Sequence, residues 1–204
     1  MIPVDLLLAK GAAYRNTEPG EVIFNEGAIA TYYYQLVQGQ VRCCNITDDG
    51  REVLHKLVEP GDIFGELPFF DDGLHASSAI SDDACTLLRL RADRFKEILH
   101  EYPDLNFAFT RSMASDLRFK FMLTDFIGRS CPEERLTILI QYLNQEKKFI
   151  CQECNRLMLT RQQLANMVGL RVETIIRTIK NMERNDRLSI VRGKVYIPAD
   201  GLYA

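Results

Sequence analysis

At 204 residues, 47% of them hydrophobic, the chain is long enough for one large domain or two modest ones with a real core. No run approaches the roughly 18 to 20 apolar residues needed to span a bilayer, and residues 1–8 lack the basic flank of a secretion signal, so the reading is a cytoplasmic protein without a membrane partner. The net charge of −3 hides an asymmetry: residues 1–130 hold 13 Lys+Arg against 20 Asp+Glu, a balance of −7, whereas 131–204 hold 12 against 8, a balance of +4. A positive tail on an acidic body suits a polyanionic partner, because neutralising phosphates makes such binding favourable.

From Glu18 to Leu90 glycines fall at 20, 27, 39, 50, 61 and 73, between short apolar stretches at Tyr32–Val37, Val41–Ile46, Val53–Val58 and Cys85–Leu90. That punctuation reads as an all-β sandwich or barrel over the first ninety residues. Glu18-Pro19-Gly20-Glu21 and Glu59-Pro60-Gly61-Asp62 share one turn text, and proline followed by glycine suits a type II turn. The period then changes. Ala92–Leu99 reads as a short helix, and a glycine-free stretch from Pro103 to Phe126 carries Phe109, Met113, Leu117 and Phe121 at four-residue spacing. Some 22 helical residues extend roughly 33 Å, beyond a small sandwich. Their stripe either covers the β domain or packs against its own copy across a two-fold axis. Gly128 and Pro132 bracket a hinge, and Pro132 suits the first turn of a helix with Leu136, Ile138, Leu139, Ile140 and Leu143 as its apolar residues.

Thr160-Arg161-Gln162-Gln163 has capping-box spacing and predicts a helix buried through Leu164, Met167 and Val168, ending at Gly169. A second helix follows from Val172 to Glu183, with Ile175, Ile179 and Met182 toward the core and Glu173, Thr174, Arg177 and Lys180 on the remaining arc. Glu173 and Arg177 lie four apart near its N-terminal end. A guanidinium bonds guanine O6 and N7 in the major groove, and a carboxylate accepts from cytosine N4, so the pair suits base readout; an exposed intrahelical ion pair is the plainer alternative. Val172, Glu173, Thr174 and Arg177 are the candidate base contacts. Leu188–Val191 and Val195–Ile197 flank Arg192-Gly193-Lys194, a β wing with a cationic tip. Thr160, Arg161, Gln162, Arg171, Lys180, Arg192 and Lys194 are candidate phosphate contacts.

The text Leu159-Thr160-Arg161-Gln162-Gln163-Leu164-Ala165-Asn166-Met167-Val168-Gly169, continuing through Arg171-Val172-Glu173-Thr174 to Arg177, resembles the helix-turn-helix of the Crp/Fnr family of bacterial regulators. Glu59–Leu67 resembles that family's cyclic-nucleotide-type β-roll, and Glu133-Glu134-Arg135-Leu136 the start of its DNA-binding domain. The resemblance implies an α+β chain: a double-stranded β-helix (jelly-roll) sensor over 1–102, a dimerisation helix over 103–128 and a winged helix-turn-helix over 129–204. It also implies a homodimer on palindromic DNA, working with RNA polymerase and answering a small-molecule effector. Val172-Glu173-Thr174 is similar to the anaerobic, Fnr-like branch, which implies TTGA-like half-sites; Ile176 departs from the small polar residue common there.

For the sensor, the resemblance implies an effector pocket of Gly65, Glu66, Leu67, Ser77, Lys120 and Phe121. Ala76 stands where the cyclic-AMP branch has its phosphate-binding arginine, and Lys120-Phe121 where it has an adenine-binding Thr-Ser pair. A buried phosphodiester without a cation is costly, so cyclic AMP is disfavoured, although Lys120 or His75 offers an alternative cation. The alternatives are a cyclic-nucleotide-binding regulatory protein or a constitutive DNA binder with a vestigial pocket. The N-terminal cysteine group expected of an iron–sulfur sensor is missing. His55, His75 and His100 include a conceivable haem ligand, but lone histidines are usually structural. Cys151-Gln152-Glu153-Cys154 has the spacing of a redox pair or half a zinc site, and without further ligands two ordinary reduced thiols are the default. Cys43 and Cys44, adjacent on a strand, are expected to point to opposite faces. No nucleophile–base set or phosphate-binding glycine loop marks an enzyme, and no catalytic residue or metal ligand is assigned.

Overall fold

The computed structural model describes residues 2–48, 50, 52–127, 131–198 and 202, with the side chains of 125–127 left out of the description. Two compact units divide the chain, residues 1–116 and 117–204.

Among the described residues of the first unit, eight strands form two four-stranded sheets. They are β1 (Ala13–Thr17), β2 (Val22–Phe24), β3 (Tyr32–Gln38), β4 (Val41–Ile46), β5 (Glu52–Val58), β6 (Ile63–Phe64), β7 (Ser78–Ser81) and β8 (Cys85–Arg91). The sheets run β1-β8-β3-β6 and β2-β7-β4-β5, with every pairing antiparallel, the arrangement of a jelly roll. Both Pro-Gly turns close as expected: Glu21 N–H donates to Glu18 O at 3.0 Å and Asp62 N–H to Glu59 O at 2.9 Å, with Gly20 and Gly61 at φ +81° and +102°. The register with β5 shifts between Cys43 and Cys44, and both side chains are buried, Cys43 in the core of the roll.

Among the described residues up to Glu101 three helical segments also occur: α1 (Val4–Ala9), α2 (Pro68–Asp71) and α3 (Ala92–Glu101). The expectation of an all-β stretch is corrected by the first two. The sheet of β1, β8, β3 and β6 is covered on both faces. Tyr34, Leu36 and Leu87 point into the roll, whereas the alternate residues Tyr33, Leu88 and Leu90 join Leu7, Phe95, Ile98 and Phe109 in a second cluster under the helices.

Phe109 belongs to α4 (Pro103–Ile127), a 25-residue helix, and is 4% exposed. Its ring meets Phe95 edge-on at 5.4 Å and lies 6.3 Å from Tyr33. It therefore covers the β domain and leaves the stripe proposed for self-association. Among the described side chains of α4, Phe107, Leu117 and Phe121 are instead the large exposed apolar residues, at 64%, 55% and 65%.

In the second unit, α5 (Pro132–Gln145) begins with Pro132 in its first turn and buries Leu136, Leu139, Ile140 and Leu143, while the Gly128 side of the expected hinge lies outside the described residues. It packs with α6 (Arg161–Val168) and α7 (Val172–Arg184), and β9 (Ser189–Val191) pairs with β10 (Lys194–Tyr196) in a hairpin that follows α7. Among the described residues no helix is long and apolar enough to cross a membrane.

Candidate nucleic-acid interface and sensor site

The capping box forms in full. Gln163 N–H donates to Thr160 Oγ1 at 3.1 Å and Thr160 N–H to Gln163 Oε1 at 2.9 Å, fixing the start of α6. Gly169, left-handed at φ +67°, ends it, and α7 starts three residues on. Leu164, Ala165 and Val168 anchor α6; Met167 is only half-buried, so that member of the expected core is partly solvated. In α7, Ile175, Thr178, Ile179 and Met182 form the buried face.

The opposite arc carries exposed Glu173, Arg177 and Lys180, with exposed Arg171 just before the helix and half-buried Val172 and Thr174 beside it. Among the described residues, neither Glu173 nor Arg177 takes part in an ion pair or side-chain hydrogen bond. The plainer alternative, an intrahelical pair, is not formed.

The wing turns at Arg192-Gly193. Both are left-handed, at φ +49° and +75°, between paired Val191 and Lys194, as a two-residue type I′ hairpin requires. Arg192 and Lys194 are exposed at this tip. Arg161 Nη2 donates to Gly193 O at 3.2 Å and ties the wing to the first turn of α6. Between them lies a cavity of about 300 Å³ bordered by Arg156, Met158, Thr160, Arg161 and Lys194. Arg156 is a cation that the sequence reading did not place there. Gln162, exposed, donates from Nε2 to Asn166 Oδ1 at 2.7 Å.

Inside the roll, Glu66 is 6% exposed, and its cation is Lys56 of β5, with Nζ 3.8 Å from Glu66 Oε1 and 3.3 Å from Asp116 Oδ2. Burial pushes the Glu66 carboxyl above its ordinary value, while attraction to Glu66 and Asp116 outweighs burial at Lys56 and raises it. These directions fit a charged lysine facing a strained carboxylate. No sequence signal marks Lys56, because its partner Glu66 is ten residues away, across the turn that follows β5.

Gly65, at φ +72°, has no room for a side chain: a Cβ would stand 2.7 Å from Phe24 Cζ and 3.0 Å from His75 Cε1. Phe24 and His75 stack at 3.7 Å with planes 10° apart, and burial lowers the pKa of His75. The stack and the burial both disfavour the charged form that a rescuing cation would need. His55 is half-buried and His100 exposed. Ala76 is exposed, Ser77 half-buried and Leu67 46% exposed. Lys120 and Phe121 belong to the second unit, Lys120 half-buried and Phe121 exposed.

A jelly roll of the nucleotide-sensor type in one unit and a helix-turn-helix with a cationic wing in the other define a two-module DNA-binding protein. The family described as cyclic nucleotide-binding domain matches residues 14–102, and that described as Crp-like helix-turn-helix domain matches 134–199. The chain is 27% identical over 194 residues to the CRP-like cAMP-activated global transcriptional regulator of Mycobacterium tuberculosis, covering 84% of this chain and 85% of that protein. It is 25% identical over 180 residues to the nitrogen fixation regulation protein FixK of Bradyrhizobium diazoefficiens, covering 86% and 74%. The fold is similar to that of FixK2 from Bradyrhizobium japonicum, with a TM-score of 0.76 at 20% identity over 91% of this chain and 92% of that one. The chain belongs to the Crp/Fnr family of DNA-binding transcription regulators.

Proposed function

We propose that the chain acts in the cytoplasm as a homodimer on a palindromic duplex with TTGA-like half-sites, contacts RNA polymerase there, and answers a small molecule other than cyclic AMP or a change of redox state. The observation that carries the DNA reading is the unpaired Glu173 and Arg177 at the solvent face of a capped helix-turn-helix. Val172 and Thr174 complete the base-reading end. Thr160, Arg161, Gln162, Arg171, Lys180, Arg192 and Lys194 meet phosphates, as position and charge suggest.

Self-association is supported by a seam on α4. Phe107, Ala114 and Phe121 are seven residues apart, and Thr110, Leu117 and Thr124 repeat the same spacing three residues later; all six are exposed. This is the a/d pattern of a two-stranded coiled coil. Cyclic AMP is disfavoured because Lys56 pairs with Glu66 and no cation stands at Ala76. The Phe24–His75 stack against Gly65 favours a second reading, a constitutive binder whose pocket is filled.

Fluorescence anisotropy of a duplex carrying inverted TTGA half-sites about 34–36 Å apart tests the reading. Two protomers per duplex and preference over a scrambled duplex are expected. Equal affinity for both duplexes would overturn it.

A further inference from the structure

We propose that Cys151 and Cys154 are a redox-active dithiol at the root of the wing, closed to an intramolecular disulfide by peroxide-class oxidants. The chain before α6 folds back on itself: Ile150 bridges Leu157, Cys151 N–H donates to Arg156 O at 2.9 Å, and Asn155 N–H donates to Cys151 O at 2.8 Å. Gln152–Asn155 form the tip, with Asn155 left-handed at φ +56°. Cys151 and Cys154 both lie in the five-residue turn that the Asn155 N–H closes on the Cys151 carbonyl; in such a single helical turn residues three apart are neighbours, about 5–6 Å between Cβ atoms, close enough for a disulfide after a small adjustment.

Hydrogen bonding from the Cys154 backbone, the Cys154 thiol and the Glu153 backbone favours the ionised form of the Cys151 thiol. These donors stabilise a thiolate and lower the pKa of Cys151, the condition for nucleophilic sulfur. Cys151 is half-buried and Cys154 exposed, so an oxidant reaches the pair.

The other cysteines differ. Cys43, Cys44 and Cys85 are buried, and burial pushes the Cys44 thiol up to about 11 and raises Cys85 as well. Cys131 is exposed and stands about twenty residues from the pair in sequence. Among the described residues no group of three or more His, Cys, Asp or Glu could hold a metal ion, so the pair is read as a dithiol rather than half of a local zinc site.

In the reaction the Cys151 thiolate attacks one oxygen of hydrogen peroxide; the O–O bond breaks, hydroxide leaves, and Cys151 becomes a sulfenic acid. The Cys154 sulfur then attacks the Cys151 sulfur, an S–S bond replaces the S–O bond, and the oxygen leaves as water with the proton from Cys154. Two thiols lose two electrons and two protons, and peroxide becomes two waters. The change is registered at the wing because the hairpin is stitched to β10: Leu157 N–H donates to Val195 O at 2.9 Å, Ile197 N–H to Asn155 O at 3.0 Å, and Arg156 bridges Tyr196.

The test is graded hydrogen peroxide on the reduced full chain, followed by alkylation after unfolding and peptide mass mapping. A 151–154 disulfide, two hydrogens lighter, is expected before any other cysteine is modified. Cys154→Ser should stop at a Cys151 sulfenic acid trapped by dimedone, while Cys151→Ser leaves Cys154 unlabelled at the same dose. Oxidation of Cys131 first, or both thiols of the pair still alkylated when other cysteines are oxidised, would overturn the proposal. Equal dimedone labelling in the two variants would overturn the assignment of Cys151 as nucleophile. The wild-type mapping stands whatever the variants' folding.

Discussion

The Lys56 ammonium stands 3.8 Å from the Glu66 carboxylate inside the roll and also hydrogen-bonds Asp116 on α4 at 3.3 Å. The side chain of Glu66 is 8% exposed and that of Lys56 26%, so water compensates little for a missing partner at the carboxylate. Removing the lysine leaves a buried carboxylate uncompensated, which costs about 3–5 kcal/mol when complete. Partial exposure of Lys56 reduces this, and Lys56→Met is expected to destabilise the chain by about 2–3 kcal/mol in urea unfolding. Adding Glu66→Gln, a neutral isostere, should recover part of the loss; an unchanged or larger loss would show that the pair is not the reason.

His75 gives the chain a pH dependence of definite sign. Its folded pKa is depressed below the ordinary 6.5 by burial, so the unfolded chain binds the proton more readily. The stability it contributes is present above pH 6.5 and is lost as the pH falls from there through the folded value. The slope from one group is at most about 1.4 kcal/mol per pH unit. His75→Gln should lower stability at pH 7 and flatten the curve below 6.5; an unchanged curve would place the titrating group elsewhere.

Phe109 and Phe121 are expected to fail in different ways. Phe109→Ala opens a cavity beside Phe95 and Tyr33 and should cost about 3–5 kcal/mol of stability. Phe121→Glu places a charge on the exposed seam and should yield a folded monomer by sedimentation equilibrium, with little change in the unfolding of the roll. A dimer retained in Phe121→Glu at micromolar concentration would remove the seam from the account.

Arg177→Ala is expected to lose about 1–3 kcal/mol for the preferred duplex and to relax discrimination at one guanine. Lys194→Ala should instead weaken all duplexes alike and reduce the salt slope by about one unit. If the two variants gave the same pattern, the division into base reader and phosphate contact would be wrong.

The DNA-binding unit was legible because its signals are local: Thr160 and Gln163 meet within one turn, and Gly169 alone specifies the left-handed stop. The stripe on α4 was misread for a geometric reason. Residues four apart advance about 40° around a helix, so Phe109 and Phe121, three such steps apart, diverge by about 120°. Phe107, Ala114 and Phe121, seven apart, drift only about 20° per step and share one face. Helices α1 and α2, of six and four residues, are too short for periodicity to register. Lys56 was unreadable because its importance depends on which side chains converge inside the roll, a long-range property of the fold.

Selection of bound duplexes from a randomised pool, run with wild type and Arg177→Ala at one stated salt concentration, tests the central claim most directly. The account predicts a two-fold symmetric motif with a G·C pair in each half, and loss of preference at that pair in the variant. An asymmetric motif, or a motif left intact in Arg177→Ala, would contradict it.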